Sequence, residues 1–121
     1  MSSYTKNIRP HVKVELDLSI KCLLERDPAT AFEHLENAHI LGQESTFLHV
    51  LAHIHMARWA IHQRDAKEFL GQVFRIIGAA TKTVIRLVPT GNSGGSNISP
   101  FRPLPLSAKH ERLISRAKAK V

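Results

Sequence analysis

Apolar residues recur at intervals of three and four along four stretches of the chain, which is the period of an amphipathic α-helix. The pattern predicts a first helix over residues 10–26, a second over 28–42, a third between residues 45 and 65, and a fourth over 66–87. No stretch alternates apolar and polar residues long enough to predict a strand, so the sequence indicates an all-α protein. The residues expected to face the core are Val12, Leu16, Ile20 and Leu23; Ala31, Leu35, Ala38 and Gly42; Phe47, Val50, Leu51, Ile54, Ala57 and Ile61; and Phe69, Val73, Ile76, Ile77, Ala80 and Val84.

Residues that favour helix ends stand at the predicted boundaries. Asp27 followed by Pro28 combines a preferred N-cap residue with proline at the first helical position. Gly42 is a stop signal for the second helix, and Ser45 is an N-cap for the third. Asp65, with a glutamate three residues later, has the spacing of a capping box. The connections are therefore short, which favours antiparallel neighbouring helices.

The composition changes after Pro89, which ends the fourth helix and precedes a segment with three glycines and three prolines. We expect an extended arm over residues 89–106 whose apolar side chains pack along the helices. The predicted architecture is an antiparallel four-helix bundle with a tetratricopeptide-like hairpin at its centre. Residues 1–106 form a single domain in this interpretation, and residues 107–121 form a basic tail with a short helix.

The net charge of +7 could indicate nucleic-acid binding, so its distribution matters more than its size. From residue 107 onward, five basic residues stand against one acid and contribute +4 of the total. No aromatic residue follows Phe101, so this tail offers no ring on which bases could stack. We therefore predict a solvated terminal helix rather than a nucleic-acid interface.

The N-terminus is polar and lacks the apolar stretch of a secretory signal, which predicts a cytoplasmic protein. The longest apolar run, residues 69–88, is interrupted by charged residues and predicts a core helix rather than a membrane span. Cys22 is the single cysteine, so the chain has neither an intrachain disulfide nor a thiolate-rich zinc site, and Cys22 is expected to be a small core residue.

Five of the eight histidines lie between residues 34 and 55, on both sides of the predicted turn between the second and third helices. If that turn is tight, His39 comes level with His49, and Glu36 comes level with His53 one turn further away. Within each helix the partners are spaced by three or four residues and share a face. The sequence therefore predicts that these four side chains bind a divalent transition metal, with zinc as first choice and copper, nickel or ferrous iron as alternatives.

Two other interpretations of this cluster stay open. Histidines facing a glutamate between helices can form a structural hydrogen-bond network, in which case the protein would be a helical interaction module with a protein partner. A metal site with an open position can also activate water, although nothing in the sequence identifies a reaction or substrate, and a non-enzymatic protein is favoured. A dinuclear centre would require a homodimer that shares ligands, because Glu36 begins the single glutamate-x-x-histidine unit of the chain.

Further polar residues are candidates to support the site. His34 and Gln43 flank the predicted ligands, although His34, like His55 and His62, is expected to face solvent. Asn92 and Asn97 lie in a glycine-rich loop that could form an anion-binding nest, but the loop lacks the lysine of a phosphate loop. We expect the loop to be a structural turn.

Three segments resemble a small bacterial family of all-helical proteins of unknown function, domain-of-unknown-function family 3703. They are HLENAHILGQ, the pair His49 and His53, and LVPTGNSGGSNISPF. The resemblance implies a compact helical protein, and it favours metal handling because some members occur beside heavy-metal resistance functions. It transfers no catalytic role. The matching positions are His34, Glu36, His39, Gly42, Gln43, His49, His53, Gly91, Asn92, Gly94, Gly95 and Asn97.

Overall fold

The fold is all-helical in the computed structural model, which describes residues 2–81 and 107–119. Within these ranges there is no strand, as the hydrophobic pattern predicts. None of the helices in this part of the chain is long and apolar enough to cross a membrane. The helices are α1 (Ser3–Leu24), α2 (Pro28–Gly42), α3 (Thr46–Gln63), α4 (Ala66–Thr81) and α5 (Ala108–Ala119).

Three of the predicted helix starts are confirmed by their caps. The side chains of Asp27, Ser45 and Asp65 each accept a hydrogen bond from the backbone N–H three residues ahead, at 3.2, 3.4 and 3.0 Å. Each bond satisfies one of the N–H groups that a helix start leaves without an intrahelical partner. Local sequence therefore determines where α2, α3 and α4 begin.

The predicted limits of the first helix are wrong at both ends. α1 begins earlier, because the Ser2 side chain accepts a hydrogen bond from the Thr5 N–H at 3.2 Å. The Thr5 hydroxyl donates to the Ser45 hydroxyl at 2.7 Å, which holds this first turn against the start of α3. Pro10 consequently lies inside the helix, and Arg26 lies beyond its end in a left-handed conformation with φ of 60°.

α2 presents the predicted stripe of small residues to its neighbours. Ala31, Leu35, Ala38 and Gly42 are all buried. A Cβ atom on Gly42 would lie only 2.9 Å from the Cβ of Leu48, so the glycine allows α3 to pass close to the end of α2. This close approach brings the facing side chains of the two helices within contact distance.

The predicted core face of α3 is largely wrong. Phe47, Ile54 and Ile61 are exposed, at 52%, 41% and 61% of their surface. The helix is rotated so that a neighbouring stripe of smaller and polar residues is buried, which shares Ala57 with the predicted face. Its members are Leu48, His49, Ala52, His53, Met56, Ala57 and Ala60. Small residues on this stripe suit the close contact with α2, where a row of large side chains would hold the helices apart. Predicted core residues that are exposed elsewhere are Ile20, Val73, Ile77 and Ala80.

The basic tail helix forms as predicted, but it is not a solvated extension. Ile114 and Ala117 of α5 are buried in the same apolar core as residues of α1 and α2. The Asn7 side chain donates to the backbone carbonyl of Ala117 at 3.0 Å, and Lys118 forms an ion pair with Glu44 at 3.0 Å. The apolar stripe of α5 is therefore a packing surface.

Each of α1 to α4 packs against its neighbour along the chain, with α1 on α2, α2 on α3 and α3 on α4. The four-helix bundle and its tetratricopeptide-like hairpin stay predictions, as does the division of the chain after residue 106. The predicted arm 89–106 and the predicted end of the fourth helix lie outside the described residues.

Candidate metal centre

Three histidines come together where α2 and α3 meet. α2 carries His39 in its last turn, and α3 carries His49 and His53 one turn apart on the same face. The short connection turns these two faces towards each other, and Gly42 permits their close approach. The three side chains are only 1%, 3% and 2% exposed. The cluster is therefore enclosed by the helices.

The imidazole rings point the same nitrogen at a common centre. Nε2 of His49 lies 2.9 Å from Nε2 of His39 and 3.0 Å from Nε2 of His53. The ring centroids are 4.6 to 4.7 Å apart. Around a zinc ion with bonds of ~2.0 to 2.1 Å, ligand nitrogens lie roughly 3.3 to 3.6 Å apart. The rings would have to separate by about half an ångström to hold such an ion.

Two hydrogen-bonded side chains of α4, Glu68 and Gln72, determine which ring nitrogen of His53 carries the proton. The Gln72 amide nitrogen donates to Glu68 Oε2 at 2.6 Å, so the amide oxygen of Gln72 faces Nδ1 of His53, also at 2.6 Å. That oxygen accepts a hydrogen bond from Nδ1–H, which leaves Nε2 of neutral His53 with a lone pair directed at the cluster. A hydrogen-bond acceptor on the outer ring nitrogen is the usual arrangement for a histidine that binds a metal.

Without a cation, the three clustered Nε2 atoms have too few protons to form well-aligned hydrogen bonds with one another. Because Nε2 of His53 accepts, Nε2 of His49 must donate to it, and the same single proton would also have to serve His39. The Nε2 lone pairs of His39 and His53 then share the one proton on Nε2 of His49, in a bent, three-centre hydrogen bond. The other ring nitrogen of His49, Nδ1, is buried, and none of the described residues forms a hydrogen bond with it. A metal ion would instead accept the lone pairs of all three Nε2 atoms.

Burial keeps the rings in the neutral form that metals require. Burial lowers the pKa of His49 to about 4. The pKa of His53 falls to about 3, chiefly through burial, with further contributions from His49 and from the positive charge of Arg75, while the hydrogen bond to Gln72 opposes the change. These two imidazoles are therefore uncharged at neutral pH and available as ligands.

Three of the four predicted ligands meet, and the fourth is placed differently. His39, His49 and His53 form the group whose ligand atoms all lie within 4.8 Å of one another, and Glu36 is not part of that group. Glu36 is half-buried on α2, one turn before His39, and makes a polar interaction of its own.

The supporting residues named from the sequence are scattered. His34 does not face solvent as expected, because its Nδ1 lies 2.6 Å from Oε2 of the buried Glu15 on α1. Gln43 is buried at the turn between α2 and α3. Asn92 and Asn97 lie outside the described residues.

Residues of α4 that sequence reasoning missed form the outer part of the site. Glu68, Gln72 and Arg75 are buried at 8%, 0% and 7% exposure, although their residue types favour the surface. Their spacing of three and four residues places them on one face of α4, opposite its exposed apolar face. That polar stripe in an otherwise apolar helix was the available signal.

Comparison with known proteins gives a family but no biochemical activity. Residues 6–114 match the family described as "Protein of unknown function (DUF3703)". Searches of curated proteins and of solved structures returned no significant match.

Proposed function

The chain belongs to the DUF3703 family of proteins of unknown function, and we propose that it binds a divalent transition metal, with zinc as first choice, through His39, His49 and His53. The observation that carries the proposal is the convergence of three buried Nε2 atoms, one of them held as a lone-pair donor by Gln72. Neutral imidazole is a suitable ligand for zinc, copper, nickel and ferrous iron.

A divalent ion bound to three neutral ligands in a buried site needs negative charge nearby. Glu68 supplies a carboxylate one hydrogen bond beyond Gln72, which itself contacts His53. Glu36, one turn before His39, is our proposed fourth ligand and would complete a tetrahedral set. We assign the site a role in holding the metal, as in buffering or sensing, and we assign it no reaction.

A structural network is the second candidate, since the two Nε2 separations of 2.9 and 3.0 Å are hydrogen-bond distances. In that case the cluster would fix the register of α2 on α3, and the protein would act through its surface as an interaction module. The exposed apolar side chains of α3 and α4, among them Phe47, Phe74 and Ile77, are the observation that favours this candidate.

Metal analysis and thermal unfolding distinguish the two candidates. The protein is purified without chelator, its metal content is measured, and unfolding is followed with and without added zinc. Zinc at ~1,000 times its dissociation constant should stabilise the fold by about 4 kcal/mol. The variant His39→Ala/His49→Ala should lose this stabilisation, whereas His11→Ala/His62→Ala, which changes two exposed histidines, should keep it.

Retention of one metal ion per chain, lost in the first variant and kept in the second, supports the metal site. Unfolding that is unchanged by zinc, copper, nickel and iron, together with equal metal content in both variants, contradicts it. A protein partner recovered with both variants would then support the structural network.

A further inference from the structure

A separate groove of about 280 Å³ lies between the C-terminal halves of α1 and α3. Its apolar side is formed mainly by the end of α1, where Ile20 and Leu24 are 47% and 81% exposed. Leu35 of α2, which is buried, also lines it. The groove does not include any of the three clustered histidines, so it is independent of the proposed metal site.

Trp59 gives this groove a rigid aromatic wall. Its indole N–H donates to the backbone carbonyl of Pro28 at 2.9 Å, and its ring contacts Phe32 edge-on with centroids 4.6 Å apart. A side chain fixed at both its polar and apolar parts loses little further freedom when a ligand packs on it. Fixed aromatic walls are typical of small-molecule sites.

The rim of the groove along α3 carries the positive charge of Arg58. Arg58, His55 and His62 line it, and no acidic residue does so among the described residues. Within residues 2–81 and 107–119, Arg58 takes part in no ion pair. Arg58 and His55 line the same groove, so one bound anion could contact both side chains.

We propose that this groove binds a small amphipathic carboxylate, with its hydrocarbon part against Ile20, Leu24 and Trp59 and its carboxylate on Arg58. The planar guanidinium matches a carboxylate with two parallel hydrogen bonds. A group the size of water occupies ~30 Å³, so the groove accepts roughly nine or ten non-hydrogen atoms. Octanoate is a carboxylate of about this size.

Trp59 is the single tryptophan of the chain, so its fluorescence reports on this groove alone. The experiment titrates octanoate, below its micelle concentration, into the 121-residue chain. Octylamine tests whether the head group must be negative, and octanol tests whether it must be charged. Acetate tests whether the hydrocarbon chain is needed. We expect saturable binding of one octanoate per chain, with octylamine and octanol at least tenfold weaker and acetate without effect.

Two variants and one control test the geometry. Arg58→Gln should weaken octanoate about tenfold, since hydrogen bonds to charged groups are the stronger class. Ile20→Glu places a negative charge at the exposed apolar wall and should abolish binding. Arg9→Gln removes an exposed charge elsewhere on α1 and should leave binding unchanged.

The proposal is overturned if octylamine binds as well as octanoate, if Arg58→Gln and Arg9→Gln have equal effects, or if the Trp59 signal does not saturate.

Discussion

Two polar clusters that contain histidine can be compared in the described part of this protein, and they differ in how their protons are balanced. Between α1 and α2, His34 faces the buried carboxylate of Glu15 at 2.6 Å, and the Asn37 amide donates to the same group at 3.5 Å. Between α2 and α3, His49 faces two further imidazoles and, within the described residues, no carboxylate. The first cluster pairs donors with a carboxylate acceptor, whereas in the second two imidazole nitrogens compete for one donated proton.

This difference indicates which cluster needs an additional ion. A histidine beside a carboxylate has a complementary partner, so the pair around Glu15 is satisfied by the chain itself. In the other cluster the Nε2 lone pairs of two imidazoles compete for the single Nε2 proton of His49, and burial opposes further protonation of His49 and His53. We therefore expect the two clusters to respond oppositely to metal and to substitution.

The largest expected effect is loss of metal stabilisation in His49→Ala. Because His49 contacts both other rings, its removal should abolish the gain of about 4 kcal/mol at ~1,000 times the dissociation constant of zinc. His34→Ala should lower the stability of the metal-free protein but keep the full gain. Chemical unfolding with and without zinc measures both variants. Equal zinc effects in the two would remove the distinction between the clusters.

Acid should destabilise the metal-free protein through the buried cluster. Unfolded histidine has a pKa near ~6.5, whereas folded His49 and His53 have values of about 4 and about 3. Below pH ~6.5 the unfolded chain binds protons that the folded chain does not, so stability falls as the pH falls towards those folded values. By pH ~5.5 the expected loss from the two histidines together is on the order of 3 kcal/mol, since one pKa unit corresponds to ~1.4 kcal/mol.

Unfolding in urea at several pH values measures this slope. The variant His49→Gln/His53→Gln should flatten it between pH ~6.5 and ~4, whereas His11→Gln, at an exposed site, should leave it unchanged. An unaltered slope in the double variant would mean that these rings are not held neutral by burial.

Gln72→Leu tests the support that α4 gives to the cluster. Without the amide oxygen, Nδ1 of His53 loses its acceptor and the lone pair at Nε2 is no longer enforced. Loss of such an outer hydrogen bond typically lowers metal affinity by ~10 to 100-fold. Asn37→Leu, in the other cluster, is the matched control and should leave affinity unchanged. Competition with a chromophoric chelator measures both, and equal affinities would assign Gln72 a purely structural role.

The smallest effect is expected at the cluster of Glu15, His34 and Asn37, whose polar groups hydrogen-bond to one another. Glu15→Gln removes the charge that faces His34 and should reduce the free energy of unfolding by about 1 to 2 kcal/mol, without altering zinc affinity. Asp17→Asn, which breaks the exposed ion pair with Lys13 on the same helix, should change stability by well under ~1 kcal/mol. A change in zinc affinity on Glu15→Gln would couple clusters that we treat as independent.

Features that depend on neighbouring residues along the chain could be predicted from sequence. The caps at Asp27, Ser45 and Asp65 act over three residues, and the meeting of His39 with His49 follows from their equal distance to a short turn. In both cases the contact is determined by helix geometry and by a connection of a few residues.

Features that depend on residues far apart in the sequence could not be predicted. The rotation of α3, which exposes Phe47 and buries His53, is set by packing on both α2 and α4, so the size of the apolar side chains was misleading. The role of Gln72 required knowing which face of α4 meets α3. The early start of α1 depends on the contact of Thr5 with Ser45, which spans forty positions.

The packing of α5 onto α1 has a consequence for synthesis of the protein. Asn7 and Ala117, which are joined by a hydrogen bond, are synthesised 110 residues apart. The core on the face of α1 that includes Ile8 is therefore completed only after Ile114 and Ala117 have been synthesised. The three histidines and Gln72 all lie within residues 39–72, so a nascent chain contains all of these side chains before α5 is synthesised. Capture of metal during translation would then order this central hairpin first, and α5 would complete the fold last.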